Sequence, residues 1–329
     1  MRILIIGLGS MGRRRIRNLH ALGHTDIIGM DRRPDRRAAA ADEYGIEVAS
    51  SLDDVDDRVE VVIVSTSPEA HRTMLEWAAR RGLGAFVEAS VSGDEEATLV
   101  RELAESSAGV MVPSCTMRYF RGPERVRELV ASGVIGRPLL LTDHVGQYLP
   151  DWHPWESIED FYVSNRDTGG CREIVPFEFT WLNEIFGDPR PLFCRRGKAS
   201  DLPADIDDHY HSVVEYPGGL VAAVTIEVLS RPSATREFRL VGTEGLLTFS
   251  GQRGVLEVEV AGDPAQAWVE PLTQGNPAPG YIYPETPYIN EMRDFLVAVA
   301  SGDASAFPND FGRDARVLGL LNDLEAMSR

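Results

Sequence analysis

The first 112 residues alternate short apolar runs with stretches of helical periodicity. Runs at 2–6, 27–30, 48–49, 59–64, 85–88 and 110–112 are too short for buried helices, and 59–64 is nearly all β-branched, as a strand buried on both faces requires. Between them, the stretch after the first run and residues 38–44, 69–81 and 95–106 read as helices. Strands spaced by helices of this length predict a parallel, doubly wound sheet. Such sheets bind ligands beyond the carboxyl ends of their strands, so 7–12, 65–68, 88–90 and 113–118 are expected along one crevice.

From residue 123 the texture changes. One helix, 123–132, ends at Gly133. Alternating stretches follow at 139–144, 192–195, 209–215, 220–229, 237–241, 246–249 and 255–260, separated by turn signals such as Pro217-Gly218-Gly219. This pattern predicts an antiparallel sheet with one face covered by helices. Two helices, 288–301 and 310–327, close the chain. A chain of 329 residues is too long for one ordinary core. The expectation is an α/β Rossmann domain over 1–119 and an α+β domain, its sheet mostly antiparallel, over 120–329.

The turn after the first run carries the sharpest chemistry. Gly7-Leu8-Gly9-Ser10-Met11-Gly12 follows a strand, opens a helix, and has Asp31 19 positions beyond its last glycine. Gly7 allows the tight turn, Gly9 lets the backbone approach a pyrophosphate, and Gly12 lets helix and strand pack closely. The helix start at Ser10 and Met11 offers N–H groups and a positive dipole end to the anion. Asp31 can accept from the adenosine ribose hydroxyls and repels a 2′-phosphate, which favours NAD. Arg32 and Arg33 follow at once and could cradle that phosphate, so NADP stays open. The run Arg13-Arg14-Arg15-Ile16-Arg17 reads as a solvated helix face or as help for the cofactor phosphates.

Composition narrows the class. The net charge of −18 argues against nucleic acid and anionic membranes as partners. No apolar run approaches the ~18 residues of a membrane span, and no secretory signal is visible. Three sparse cysteines, Cys115, Cys171 and Cys194, fit a reducing cytoplasm and show no metal-site spacing. The sequence thus suggests a cytoplasmic protein with no metal.

In their order, several motifs resemble the glucose–fructose oxidoreductase / inositol dehydrogenase (Gfo/Idh/MocA) family, over essentially the whole chain. They are the glycine turn, Val64-Ser65-Thr66-Ser67-Pro68-Glu69-Ala70-His71, Phe86-Val87-Glu88, the Gly169-Gly170 pair before a helix, and Val241-Gly242-Thr243-Glu244-Gly245. The resemblance implies NAD- or NADP-dependent oxidation or reduction of a carbinol carbon on a sugar, cyclitol or nucleotide sugar. It implies homodimers or homotetramers formed through the exposed face of the second sheet. It also adds Ser65, Thr66, Ser67, Pro68, His71, Glu88 and Ala89 to the expected cofactor site. Two departures stand out. The family's Glu-Lys-Pro is here Glu88-Ala89-Ser90, and its Asp and His on the following helix fall at Ile174 and Glu178.

The missing base must then be sought elsewhere. At 100° per residue, Ile174, Phe177, Trp181, Leu182 and Ile185 form an apolar stripe with Glu178 in its middle. A carboxylate there is costly unless paired or functional, and burial moves its pKa toward acid–base work. Alternatively Pro176 starts the helix and Glu178 merely favours its dipole. Glu173, beside Arg172, reads as an ion-pair member or a second acid. The segment 146–156 holds Tyr148, Trp152, His153 and Trp155, aromatic faces and polar groups suited to a polyhydroxylated ligand or to a subunit interface. His153, His144 and Tyr148 could each handle a proton. Arg118, Arg166 and Arg172 could hold an acidic or phosphorylated substrate. His209 and His211, with Asp207, share a strand face and suggest a polar surface more than a metal site. Two rival readings remain: a lyase or epimerase with tightly bound NAD, and a dehydrogenase-like binding or regulatory protein.

Overall fold

A computed structural model describes residues 1–152, 157–160, 162–262, 267–272, 275, 277–279, 281 and 283–328. The regular elements begin with β1 (Ile3–Ile6), α1 (Ser10–Ala21), β2 (Ile27–Met30), α2 (Pro34–Tyr44), β3 (Glu47–Ala49), β4 (Val61–Val64), α3 (His71–Arg80), β5 (Gly84–Val87), α4 (Asp94–Ser106) and β6 (Met111–Pro113). Next come α5 (Arg121–Ser132), β7 (Pro138–Gly146), α6 (Cys171–Phe186), β8 (Arg190–Gly197), β9 (His209–Glu215), β10 (Val221–Glu227), β11 (Thr235–Gly242), β12 (Gly245–Ser250), β13 (Val255–Val260) and β14 (Trp268–Pro271). Two helices, α7 (Thr286–Ser301) and α8 (Phe311–Met327), close the chain.

The chain forms two compact units. One comprises Met1–Thr116 with Glu285–Ala315, and the other Met117–Pro284 with Arg316–Arg329. The linear division at 119/120 read from the sequence falls close to the first break, but it misses the return of the chain to the first unit. The reason is packing: α7 lays Phe295 against Phe86 of β5, ring centroids 5.5 Å apart, and Val299 fills the space above Gly84.

In the first unit six strands run in the order β3-β2-β1-β4-β5-β6, all parallel. Strands β1, β2, β4 and β5 are buried at every residue, which explains their unbroken apolar character. The order reverses between β1 and β4, so the turns after these two strands flank the switch point. Of the basic run on α1, Arg13 stays part-exposed near Glu43, whereas Arg14, Arg15 and Arg17 turn to partners at the start of α7 and at the end of β5. Arg14 and Arg17 pair with Glu285, Asn18 donates to the same carboxylate, and the fully buried Arg15 pairs with Glu88 and Glu291. For Arg14, Arg15 and Arg17 the expected solvated face gives way to a structural one: they tie α7 to α1.

In the second unit eight strands run β14-β13-β12-β11-β7-β10-β9-β8, antiparallel except for the parallel pair β7 and β10. Burial alternates along most strands, with β8 interrupted by a register shift between Pro191 and Phe193. On β7, Leu141, Asp143 and Val145 face the covered side, and Leu140, Thr142 and His144 the other. Helix α5 stops where Gly133 adopts φ +73°, as its position after the last periodic residue predicts. Strand β14, which follows Gly262-Asp263-Pro264 in the sequence, was not among the expected strands. No helix among the described residues is long and apolar enough to cross a membrane.

Candidate functional site

The glycine turn packs as its spacing requires. Gly7 has φ +92°, and a methyl group there would lie 2.5 Å from the Ser65 carbonyl oxygen. A methyl on Gly12 would lie 1.8 Å from the Gly7 carbonyl oxygen, so any side chain would push α1 off β1. Gly9 is the N-cap of α1, no side chain caps this terminus, and its first turn holds no acid. The end of the helix is thereby left for an anion. Asp31, at the end of β2, accepts from the Leu8 N–H at 2.8 Å and the Arg33 N–H at 2.9 Å, which fixes its carboxylate. Each oxygen keeps a second lone pair for a ribose hydroxyl.

The loop after β4 adds a second wall. His71 is buried, and its Nε2–H donates to the Thr66 carbonyl at 3.0 Å. That bond leaves Nδ1 as a bare acceptor, and burial pushes the imidazole pKa down, so it is neutral and shapes the loop. The Thr66 Oγ1 is buried with no hydrogen-bond partner among the described residues. Ser67 occupies the position before a short 3-10 turn that starts at Pro68, without a side-chain capping bond. At the end of β5, Glu88 takes two bonds from Arg15, at 2.7 and 2.8 Å, and one from the Ser65 hydroxyl at 3.3 Å. Ala89 follows it, half-buried. These residues fit a dinucleotide: a cradle only glycines permit, an uncapped helix end, a fixed acid and an orphaned hydroxyl.

Three features of this unit escaped the sequence. Arg36 Nη1 lies 3.3 Å from where a Gly9 methyl would sit and 3.9 Å from Asp31 Oδ2, whereas Arg32 is exposed. Arg33 instead pairs with Asp35, and Arg37 donates to the Asp31 and Arg32 carbonyls. Glu291, wholly buried, accepts from the Ser114 hydroxyl, the Cys115 N–H and the Thr116 hydroxyl at 2.7–2.9 Å besides Arg15. Burial pushes its pKa up against the pull of Arg15.

In the second unit, α6 begins at Cys171, so Pro176 lies inside it and Glu178 is not a first-turn acid. Glu178 is fully buried. Its carboxylate accepts from Arg236 of β11 at 2.6 and 3.0 Å and from the Trp181 indole N–H at 2.8 Å. Asp143 of β7, also fully buried, has no hydrogen-bond partner on either oxygen among the described residues. Burial pushes its pKa well above the carboxylate range, and the charge of Glu178 adds to the shift while Arg236 opposes it. Neither Asp143 nor Arg236 was singled out from the sequence. The signal was available: Asp143 is in phase with Leu141 and Val145, and Arg236 with Phe238 and Leu240. Glu173 sits in the first turn of α6, where its charge suits the dipole.

The other expected site residues are placed as follows. Tyr148 stacks under Arg231, whose guanidinium carbon is 4.8 Å from the ring centroid and whose Nη1 is 3.3 Å from the phenol oxygen. Trp152 is half-buried, its indole N–H without a partner among the described residues. His153 and Trp155 lie outside the described residues. All three substrate arginines are held within the second unit: Arg118 by Glu184, Arg166 by Asp205 and Asp207, and Arg172 by Glu325. Asp207 serves Arg166 and Arg196 rather than the histidines. His209 meets Asp208, His211 meets Thr225, and His144 lies 3.2 Å from Glu227.

A doubly wound sheet with this cradle at its switch point, followed by a sheet unit with one covered face, defines a two-unit, dinucleotide-binding oxidoreductase fold. Residues 1–113 match the family model described as an oxidoreductase family with an NAD-binding Rossmann fold, and residues 124–248 match the GFO/IDH/MocA C-terminal domain. The matches together take in more than half of the chain, and the protein belongs to the GFO/IDH/MocA family. An uncharacterized oxidoreductase of Streptococcus pneumoniae is 35% identical over 107 residues, which span 31% of this chain and 29% of that protein. Among solved structures, levoglucosan dehydrogenase in complex with NADH and levoglucosan superposes with a TM-score of 0.84 at 18% identity, covering 100% of this chain and 97% of the other. An inositol dehydrogenase homolog from Azotobacter vinelandii, complexed with NAD+, gives 0.81 at 17% identity over 100% and 96%.

Proposed function

We propose that this protein is an NAD-dependent dehydrogenase acting on a carbinol carbon of a polyhydroxylated small molecule: a sugar, cyclitol or nucleotide sugar. The cradle at the β1–β4 switch point carries the reading. When bound, the nicotinamide cofactor supplies the hydride acceptor or donor. Gly7, Gly9 and Gly12 bring the backbone N–H groups at Ser10 and Met11 to the pyrophosphate. Asp31 receives ribose hydroxyls and disfavours a 2′-phosphate, so NAD is preferred. The Thr66 hydroxyl supplies a hydrogen bond that the protein itself leaves unmade.

Proton handling departs from the family pattern. The chain has one lysine, Lys198, and its ammonium is held by the Leu202 and Ala204 carbonyls at 2.7 and 2.6 Å. No lysine elsewhere can replace the one missing after Glu88. Glu178 is the leading proton-handling group, with Tyr148, His153 and Glu173 as lesser ones. The Tyr148–Arg231 pair and the Trp152 indole N–H suit a ligand with C–H faces and hydroxyls. Self-association through the open face of the second sheet is supported by Leu140, Phe193 and Val269, which are 57, 53 and 61% exposed there.

The test is a fluorescence titration with NADH and NADPH, then an absorbance screen of sugars and cyclitols with NAD. Saturable NADH binding, weaker NADPH binding and cofactor reduction by a polyol are expected. Binding with substrate turnover but no net absorbance change would favour the lyase or epimerase reading. Absence of NADH binding would overturn the proposal.

A further inference from the structure

Under α6, the covered face of the second sheet brings together two carboxyls, Asp143 and Glu178, and one cation, Arg236. Asp143 on β7 and Arg236 on β11 are diagonal neighbours, because Asp143 pairs in register with Phe238, two residues beyond Arg236 on the same face. Glu178 comes from α6 above them. The phenol of Tyr216, which donates to Asn183 Oδ1, also feels Asp143, and Tyr283 acts on Arg236. No further charged group faces Asp143 among the described residues.

The donors are unevenly shared. Glu178 takes two bonds from Arg236 and one from Trp181, whereas Asp143 takes none. A buried carboxylate without donors cannot persist as an ion, and two carboxyls facing one cation leave one of them neutral. Environments that push paired acids apart mark which of them carries the proton.

We propose that Asp143, Glu178 and Arg236 form a one-proton unit, in which Asp143 stores the proton, Glu178 carries the charge, and loss of that charge makes Asp143 ionise in its place. Asp143 is thus a positioning residue: it keeps one negative charge opposite Arg236 under α6, whichever carboxyl bears it. Its bearing on turnover rests on the dehydrogenase reading above, because Glu178 stands where the family resemblance places histidine. The charge arrangement itself does not depend on that reading.

The experiment uses infrared spectra of the full-length protein at neutral pH, without cofactor or substrate, so its outcome is independent of the activity screen. Wild type should show the C=O stretch of a buried protonated carboxyl beyond any component from Glu291 and Asp314, whose pKa values burial also raises and which both variants retain. Asp143→Asn should abolish it. Glu178→Gln should also abolish it, because Arg236, released from Glu178, then turns its N–H donors to its diagonal neighbour Asp143, which ionises to balance it. Thermal melts give a second readout. A carboxyl whose folded pKa is raised loses stability as pH rises from its unfolded value through the folded one. Asp143→Asn removes that loss, so its melting temperature relative to wild type should climb with pH, while Glu178→Gln with Asp143→Asn should lose more than the two single changes summed. Absence of the band in wild type, its survival in Asp143→Asn, or its survival in Glu178→Gln would overturn the proposal. If Asp143→Asn does not fold, the Glu178→Gln spectrum alone decides.

Discussion

Replacing Arg15 by methionine tests how the cofactor unit is held together. The guanidinium is wholly buried, gives two bonds to Glu88 and one to Glu291 at 2.9 Å, and lies over the Phe86 and Tyr288 rings. Methionine keeps much of the volume but strands both acids. Glu291 keeps its three donors from Ser114, Cys115 and Thr116, whereas among the described residues Glu88 keeps only the long bond from Ser65. Removing one partner of a buried pair costs about 3–5 kcal/mol. For a unit of this size each kcal/mol moves the midpoint by about 2–4 °C, so the melting temperature should fall by roughly 10 °C. The deficit should depend on pH. Without Arg15 the Glu291 carboxyl, already raised, rises further, and a raised acid loses stability as pH climbs through its folded pKa. The gap to wild type is therefore narrower at about pH 5 than at about pH 8. Circular-dichroism melts at both values check this, with the transition of the first unit identified by its shift on adding NADH. A midpoint within about 2 °C of wild type at both values would refute the reasoning, because it would make the ion pair's burial cost equal to its benefit.

Three further outcomes are expected. Thr66→Val removes a hydroxyl with no partner among the described residues, so the free protein should be as stable as wild type or more so, while NADH affinity falls about fivefold for a lost bond of ~1 kcal/mol. A loss of stability with unchanged affinity in melts and titrations would reverse that assignment. Asp31→Ala removes the charge that repels a 2′-phosphate beside Arg36, so the ratio of NADPH to NADH affinity should rise about tenfold, equivalent to ~1.4 kcal/mol; an unchanged ratio in paired titrations counts against the role of Asp31. Cys115, Cys171 and Cys194 are buried, and burial pushes the Cys171 thiol well up and the Cys194 thiol to about 11. None should react with a thiol reagent at neutral pH, and all three should react once the protein unfolds.

Local patterning determined much of this protein. The strand runs, the glycine turn with Asp31, and the alternation of the second sheet each depend on residues near one another in the chain, where periodicity and steric rules act directly. Strands β9 and β13 fall where their alternation placed them. The odd position of Glu178 was visible for the same reason: a charge in phase with an apolar stripe is anomalous wherever the helix packs. What such an anomaly is for depends on what lies opposite. Arg236 is 58 residues away, and Asp143 comes from a third element, so only the sheet register brings them together. Likewise Arg14 and Arg15 looked like a solvated face until α7, over 260 residues later, supplied Glu285 and Glu291. The arginines read as substrate ligands met acids such as Glu184 and Glu325. Charges act through space, and in an interior of low dielectric the partner decides whether a group is ionised, neutral or merely structural. Secondary structure and the cofactor turn were therefore legible in the chain, whereas the state and role of each buried charge were decided by the tertiary fold alone.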